Sequence, residues 1–282
     1  MGARTRLMNR RAAVLGRPIG HSLSPALHRA GYRALGLDDW TYEAVELAEP
    51  ELGPWLASRG PEWQGLSLTM PLKRAVLGLV DHVQPAARQV GGANTVLFTP
   101  AGTVAANTDI YGIVAAVREA APGRSFRSAS VLGGGATAAA ALAALAELGL
   151  RRPRVYVRAL GTAGATIEAA RRLGAEPELR KLNMDRPPLD WPADLTIATL
   201  PPRAADPLAA ALAAPPAASL PDGAVLLDAA YEPWPSALAR AWQAAGGVVV
   251  SGKIMLLHQA AAQFQMMTGR AAPVAAMRAA LG

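Results

Sequence analysis

The chain has 282 residues, long enough for two compact units, and half of them are apolar against 17% charged, which excludes a disordered chain. It contains no cysteine, so disulfides, thiolate catalysis and thiolate zinc sites are excluded. The 28 Lys and Arg exceed the 21 Asp and Glu to give +7, but the basic residues are dispersed and aromatics make up only 5%. That pattern suits an arginine-rich surface tolerant of anionic metabolites and argues against a nucleic-acid partner.

No apolar run reaches bilayer length, so no membrane partner is expected. The basic start, Arg4 to Arg11, runs into Arg17, Pro18 and His21 instead of a signal-type hydrophobic region, which points to a cytoplasmic protein. The four histidines are scattered without metal-ligand spacing. His21 and His28 read as surface or core residues, and no metal is expected.

In chain order, Ala12 to Leu15 reads as a buried strand ending at Gly16. A helix follows from Pro25 to Leu35, with Ser24 placed to cap it and Pro25 at its first position. Ser22 and Ser24 together, beside a helix N-terminus, also make a cradle for a carboxylate. Thr41 to Val45 is a second strand, and Pro50 to Ser58 a short helix. Gly65 to Lys73 begins as a strand whose Ser67 and Thr69 hydroxyls alternate onto one face. Pro71 ends it and delivers Lys73 to the strand rim, where Ser, Thr and Lys together can hold a polyol and supply a proton.

A helical segment from Pro85 to Val90 leads to Gly91-Gly-Ala-Asn-Thr-Val, a turn entering a strand. Asn94 at that glycine-rich turn reads as satisfying turn backbone. Val96–Phe98 and Thr103–Ala106 form a hairpin that delivers Asn107-Thr-Asp-Ile-Tyr-Gly to a helix start. Asp109 is either that helix's cap or a carboxylate held near Lys73.

From Ser128 the composition changes to short Val/Leu/Ile strands alternating with alanine-rich helices, the mark of a parallel sheet. Strands are expected at Ala129–Leu132, Val155–Val157, Leu195–Thr199, Val225–Leu227 and Val248–Val250. Gly133-Gly-Gly-Ala136 lies between the first of these and a helix, where a pyrophosphate can approach the helix N-terminus. A ribose-reading acid would lie about 20 residues beyond the glycine loop. That window holds Arg154 and Arg158 and no acid before Glu168, so NADP is expected over NAD, with Arg158 as its reader. Lys253 to Met267 is a long helix with an apolar stripe at Ile254, Leu257, Ala261 and Phe264, which leaves Gln259 as a surface amide.

Taken together, Gly16-Arg-Pro-Ile-Gly-His-Ser-Leu-Ser-Pro-Ala-Leu-His, Thr69-Met-Pro-Leu-Lys, Gly92-Ala-Asn-Thr, Asn107-Thr-Asp-Ile-Tyr-Gly, Asp228-Ala-Ala-Tyr-Glu-Pro-Trp-Pro and Gly252-Lys-Ile-Met-Leu-Leu-His-Gln-Ala resemble the motifs of the shikimate dehydrogenase family, in the family's order and over nearly the whole chain. The resemblance implies an α/β protein that interconverts 3-dehydroshikimate and shikimate with NADP, in the biosynthesis of aromatic amino acids. It implies a substrate domain over 1–109, a Rossmann-type doubly wound domain over 110–251, and helices over 252–282 returning to the first domain.

Residue by residue, it implies that Ser22, Ser24 and Tyr231 bind the substrate carboxylate and that Thr69, Asn94, Asp109 and Gln259 hold ring hydroxyls. Lys73 would exchange the proton, with Asp109 beside it to orient the ammonium. Gly133, Gly134, Gly135, Ala136, Arg158, Thr199, Gly252 and Met255 would line the cofactor, and a homodimer is left open.

Three positions depart from the family pattern. Ser67 stands where many relatives carry Asn, which shortens a ring-hydroxyl contact. Val157-Arg-Ala replaces Asn-Arg-Thr, and Thr199-Leu-Pro-Pro replaces Asn-Thr-Thr-Pro. A quinate/shikimate or aminated-analogue dehydrogenase, and a non-catalytic shikimate-binding protein, remain the alternatives.

Overall fold

The computed structural model describes residues 9–213 and 219–282, so the start of the basic stretch from Arg4 lies outside the described residues. The chain forms two compact units, one from the chain up to Arg88 with Gly92–Thr108 and Gln259–Gly282, the other from Gln89–Gly91 and Asp109–His258.

The first unit is built on a six-stranded mixed sheet of β1 (Arg10–Gly16), β2 (Trp40–Glu46), β3 (Trp63–Leu68), β4 (His82–Val83), β5 (Thr95–Thr99) and β6 (Gly102–Ala106), in the order β2-β1-β3-β5-β6-β4. β1 pairs parallel with β2 and β3, whereas the hairpin β5–β6 joins β3 antiparallel. The short turn at Pro100-Ala-Gly permits only antiparallel pairing there, while the helical crossovers α1 (Ser24–Ala34) and α2 (Leu52–Ala57) permit the parallel pairs. One face of the sheet buries Leu15, Leu52, Leu66, Leu72, Val76 and Val96 in a common core. α3 (Leu72–Ala75) and α4 (Pro85–Val90) complete the run to β5.

The strand expected to reach Met70 ends at Leu68, because the turn at Thr69 redirects the chain. The Thr69 N–H bonds Leu15 O at 2.9 Å, and the Leu72 N–H bonds Thr69 O at 2.9 Å.

The second unit contains α5 (Asp109–Ala120), β7 (Ala129–Leu132), α6 (Ala136–Glu147), β8 (Arg154–Val157), α7 (Gly164–Leu173), β9 (Glu178–Lys181), β10 (Leu195–Ala198), α8 (Asp206–Ala213), β11 (Val225–Asp228), α9 (Ala237–Ala244) and β12 (Val248–Ser251). Its sheet runs β12-β11-β10-β7-β8-β9 with every pair parallel. That is the doubly wound order, with its switch point between β7 and β10. The alanine run of α6 is buried from Ala138 to Leu145, small side chains allowing close approach of α5 and α7. Trp191 and Trp242, both fully buried with ring centroids 5.6 Å apart, sit in the core with Leu132, Leu208 and Leu226. β9 lay outside the sequence expectation, because Glu-Leu-Arg-Lys on a largely exposed edge strand carries no apolar alternation.

α10 (Gly252–Thr268) starts in the second unit, and its residues from Gln259 onward belong to the first. There Phe264 packs so closely on Gly31 that a Cβ on Gly31 would lie 2.6 Å from the ring. α11 (Val274–Ala279) packs on α1. Among the described residues no helix is long and apolar enough to cross a membrane.

Candidate active site

In the first unit, the candidate residues lie on the loops beyond β1 and β3, at the start of β5, and on α10. α1 begins at Ser24, one residue earlier than expected, and its cap position is Leu23, which has no side chain able to cap. Ser24 is therefore not the N-cap. Its buried hydroxyl meets the Tyr42 phenol instead, while its N–H makes a long 3.4 Å bond to Ser22 Oγ. Ser22 and Ser24 thus stand side by side at the mouth of α1.

The loop beyond β1 and the loop beyond β3 press together. A Cβ on Gly16 would collide with the Thr69 methyl and lie 2.8 Å from Met70 O, so only glycine permits this approach. Lys73 follows on α3, partly buried, and its carbonyl accepts the Ala93 N–H at 2.7 Å. That bond ties Lys73 to the turn that carries Asn94.

Asn94 is buried, and its side chain is a hub. Oδ1 accepts from the Thr108 N–H at 2.8 Å and from Thr95 Oγ1 at 2.9 Å. Nδ2 donates to Thr108 Oγ1 at 2.9 Å and to Gln259 Oε1 at 3.1 Å. Gln259 is 6% exposed, so the expectation of a surface amide is corrected: its side chain lies on a second, polar buried face of α10.

Gln263, one turn further along that face, was not anticipated. It is fully buried, accepting from Ser67 Oγ at 2.7 Å and donating to Asn94 O and Thr95 Oγ1, each at 2.9 Å. Ser67 in turn accepts from the Tyr42 hydroxyl at 2.6 Å. The Ser67 hydroxyl is thus buried, its proton given to Gln263 and one of its two lone pairs taken by Tyr42. The four-residue spacing of Gln259 and Gln263 was the available signal for a polar helix face.

In the second unit, Asp109 is the first residue of α5 and is buried, a carboxylate at a helix N-terminus. Tyr231 lies just beyond β11, partly buried, its phenol pushed above the ordinary range first by burial and then by Glu232. Asp228, at the end of β11, is also raised by burial, although Ser236 Oγ donates to it at 2.6 Å.

The glycine loop sits at the switch point between β7 and β10. Gly133 has φ +120, and a Cβ there would run into Thr199 Oγ1. Thr199 Oγ1 donates to Leu132 O at 3.0 Å and Thr166 Oγ1 to Gly134 O at 2.9 Å, pinning the loop from two sides. Thr199 is therefore placed as a prop of the loop. Around Gly135 nothing lies within 4 Å of where a Cβ would be, and it opens the twelve-residue α6 with no side-chain cap. Open space before uncapped N–H groups fits a pyrophosphate.

Arg158 is exposed just past β8, whereas Arg154 is occupied by Asp190 at 3.6 Å and Pro192 O at 3.2 Å. These residues fit NADP, with Arg158 the arginine available to a 2′-phosphate. Gly252 starts α10 directly against the Ala229 carbonyl, and Met255 is buried one turn on.

A doubly wound parallel sheet with an open glycine loop at its switch point, coupled in one chain to an α/β unit rich in buried hydroxyl and amide groups, defines a dinucleotide-linked oxidoreductase. Comparison with known proteins agrees with that class. The model for the shikimate dehydrogenase substrate binding domain matches residues 14–96, and that for the shikimate 5′-dehydrogenase C-terminal domain matches residues 255–281. Shikimate dehydrogenase (NADP(+)) of Rubrobacter xylanophilus is 37% identical over 95% of this chain and 94% of its own. The crystal structure of Mycobacterium tuberculosis shikimate dehydrogenase superposes with a TM-score of 0.85 at 44% identity, covering 96% of this chain and 98% of that one. The Thermus thermophilus shikimate 5-dehydrogenase in complex with NADP(H) and shikimate gives a TM-score of 0.78 at 32% identity, covering 96% and 98%. The chain belongs to the shikimate dehydrogenase family.

Proposed function

We infer that this protein catalyses the NADP-linked interconversion of 3-dehydroshikimate and shikimate. The observation that carries the reading is whole-chain similarity to NADP-dependent shikimate dehydrogenases, together with Lys73, Asn94, Asp109 and Gln259 standing at their motif positions. The first unit is proposed as the substrate-binding domain and the second as the NADP domain, in a cytoplasmic enzyme. Gel filtration decides between a monomer and a homodimer.

Bound NADPH supplies the hydride that reduces the ketone. The chain's own residues do the rest. Ser22 and Ser24, with Tyr231, hold the carboxylate and Thr69, Asn94, Asp109 and Gln259 the ring hydroxyls, Ser24 exchanging its bond to Tyr42 and Asn94 one of its amide bonds for the contact with substrate. As negative charge develops on the ketone oxygen, the Lys73 ammonium donates a proton to it. In the oxidative direction Lys73 takes the proton back from the alcohol. Asp109 orients the ammonium.

Steady-state rates with shikimate and with quinate, each measured with NADP and with NAD, test this reading. The shikimate–NADP pair should give the highest kcat/KM. Absence of turnover of shikimate with either cofactor overturns the reading, and a higher kcat/KM for quinate replaces the substrate.

A further inference from the structure

We propose that Lys181, on β9, is a specificity-determining residue for the cofactor, forming with Arg158 a two-cation seat for the 2′-phosphate that distinguishes NADP from NAD. The proposal rests on the reading above, in which the second unit is the NADP domain.

A phosphate monoester carries about −1.5 to −2 charges at pH 7, more than one arginine neutralises. In a doubly wound sheet the adenosine ribose lies at the carboxyl end of the second strand, here the end of β8. The window of sequence that follows the glycine loop reaches Arg158 at that place. It stops short of β9, which the fold lays beside β8.

The two strands are parallel with Lys181 opposite Val157, and the Leu182 N–H bonds Val157 O at 2.8 Å. Lys181 therefore ends its strand level with the end of β8, across from the residue that precedes Arg158. Side chains alternate along a strand and register partners share a face, so Lys181 leaves the sheet on the face of Val157. That face carries the glycine loop, since a Cβ on Gly134 would lie 3.0 Å from Val157 Cγ1. Leu179, two residues before Lys181, lines a groove with Ile167 and Ala170 of α7 on the same face. Lys181 is its exposed end.

Charge pairing separates the cations of β8, β9 and the turn after β8. On the opposite face Arg154 is met by Asp190 at 3.6 Å and Arg180 by Glu178 at 2.7 Å. Lys181 and Arg158, both exposed, make no ion pair among the described residues. Two uncompensated cations at the ends of neighbouring strands suit a 2′-phosphate, whereas the neutral 2′-hydroxyl of NAD gains little from the second of them.

The test is titration of NADPH and of NADH, without shikimate, into the parent, Lys181→Met and Lys181→Arg. The methionine keeps the length of an exposed side chain and removes its charge. Lys181→Met should raise the NADPH Kd about three- to tenfold while the NADH Kd stays within about twofold. Lys181→Arg should keep the NADPH Kd within about twofold of the parent. The effect of Lys181→Met should shrink in ~1 M salt, where charges are screened over about 3 Å. Arg158→Ala/Lys181→Met should bring the NADPH Kd close to that for NADH.

An unchanged NADPH Kd in Lys181→Met overturns the proposal, as does a NADH Kd raised by the same factor, which would mark a structural lysine. A parent that binds NADPH no more tightly than NADH overturns it together with the choice of NADP. A parent that binds NADPH the more tightly but does not turn over shikimate would remove the catalytic reading, and the Kd values would still decide the role of Lys181.

Discussion

His28 should make the protein acid-labile in a predictable way. Its ring is fully buried on α1, stacked on Tyr42 with centroids 4.1 Å apart, and neither nitrogen has a partner in hydrogen-bond geometry. Burial pushes its pKa down from 6.5 to about 3, the nearby Gln263 amide pulling weakly the other way. Above pH about 6.5 the ring is neutral in both folded and unfolded chains and contributes no pH dependence. Between about 6.5 and 3 the unfolded chain binds a proton that the folded chain refuses, so stability falls as pH falls, by up to about 1.4 kcal/mol per pH unit. From pH 8 to pH 5 the loss from this one group is about 2 kcal/mol.

Urea unfolding of the parent and of His28→Leu at the two pH values isolates the effect, because all other titrating groups are common to both. The parent should lose about 2 kcal/mol more than the variant on acidification. If His28→Leu does not fold, His28→Gln serves the same comparison. Identical pH dependence in parent and variant would refute the argument that His28 is held neutral by burial.

Three further outcomes are expected. Lys73→Ala should lower kcat by about 10²–10⁴, and Asp109→Asn should also lower it, with the double variant little worse than the poorer single one; kcat within a few-fold of the parent would leave Lys73 a binding residue only. Arg158→Ala should raise the NADP KM and narrow the preference over NAD, while unchanged NADP kinetics would place the 2′-phosphate elsewhere. Ser22→Ala should raise the shikimate KM by the factor that about 1.5–3 kcal/mol represents, with cofactor KM unaltered. An unchanged shikimate KM would move the carboxylate away from α1.

Much of the fold was legible because local signals agreed with tertiary placement. The apolar runs of β7, β8, β10 and β11 lie deep in an all-parallel sheet, where continuous Val/Leu/Ile stretches are the rule, and β12 keeps such a run at the sheet's edge. The hairpin β5–β6 follows from its turn, and His28 lies in the core, one of the two placements open to it. β9 was hidden because an exposed edge strand needs no apolar pattern.

Gln259 was misread for a different reason. A helix stripe marks where apolar residues face a core, but α10 also buries a polar face, satisfied by partners as distant in sequence as Asn94 and Ser67. Nothing in the periodicity of 253–267 could reveal those partners. The same holds for Ser24 on α1, whose hydroxyl bonds Tyr42 on β2 instead of capping.

The buried amide cluster of Asn94, Gln259 and Gln263 bears on the thermodynamics of recognition. An exposed asparagine or glutamine samples several rotamers and both amide orientations, and ordering such a side chain on association costs about 0.5–1.5 kcal/mol. Asn94 and Gln259 have that freedom removed when the first unit folds, through bonds that reach from Tyr42 to Thr108. On the proposed reading of the site, ligand association begins from rotors already frozen, so its conformational entropy penalty is shifted from the encounter to the folding reaction.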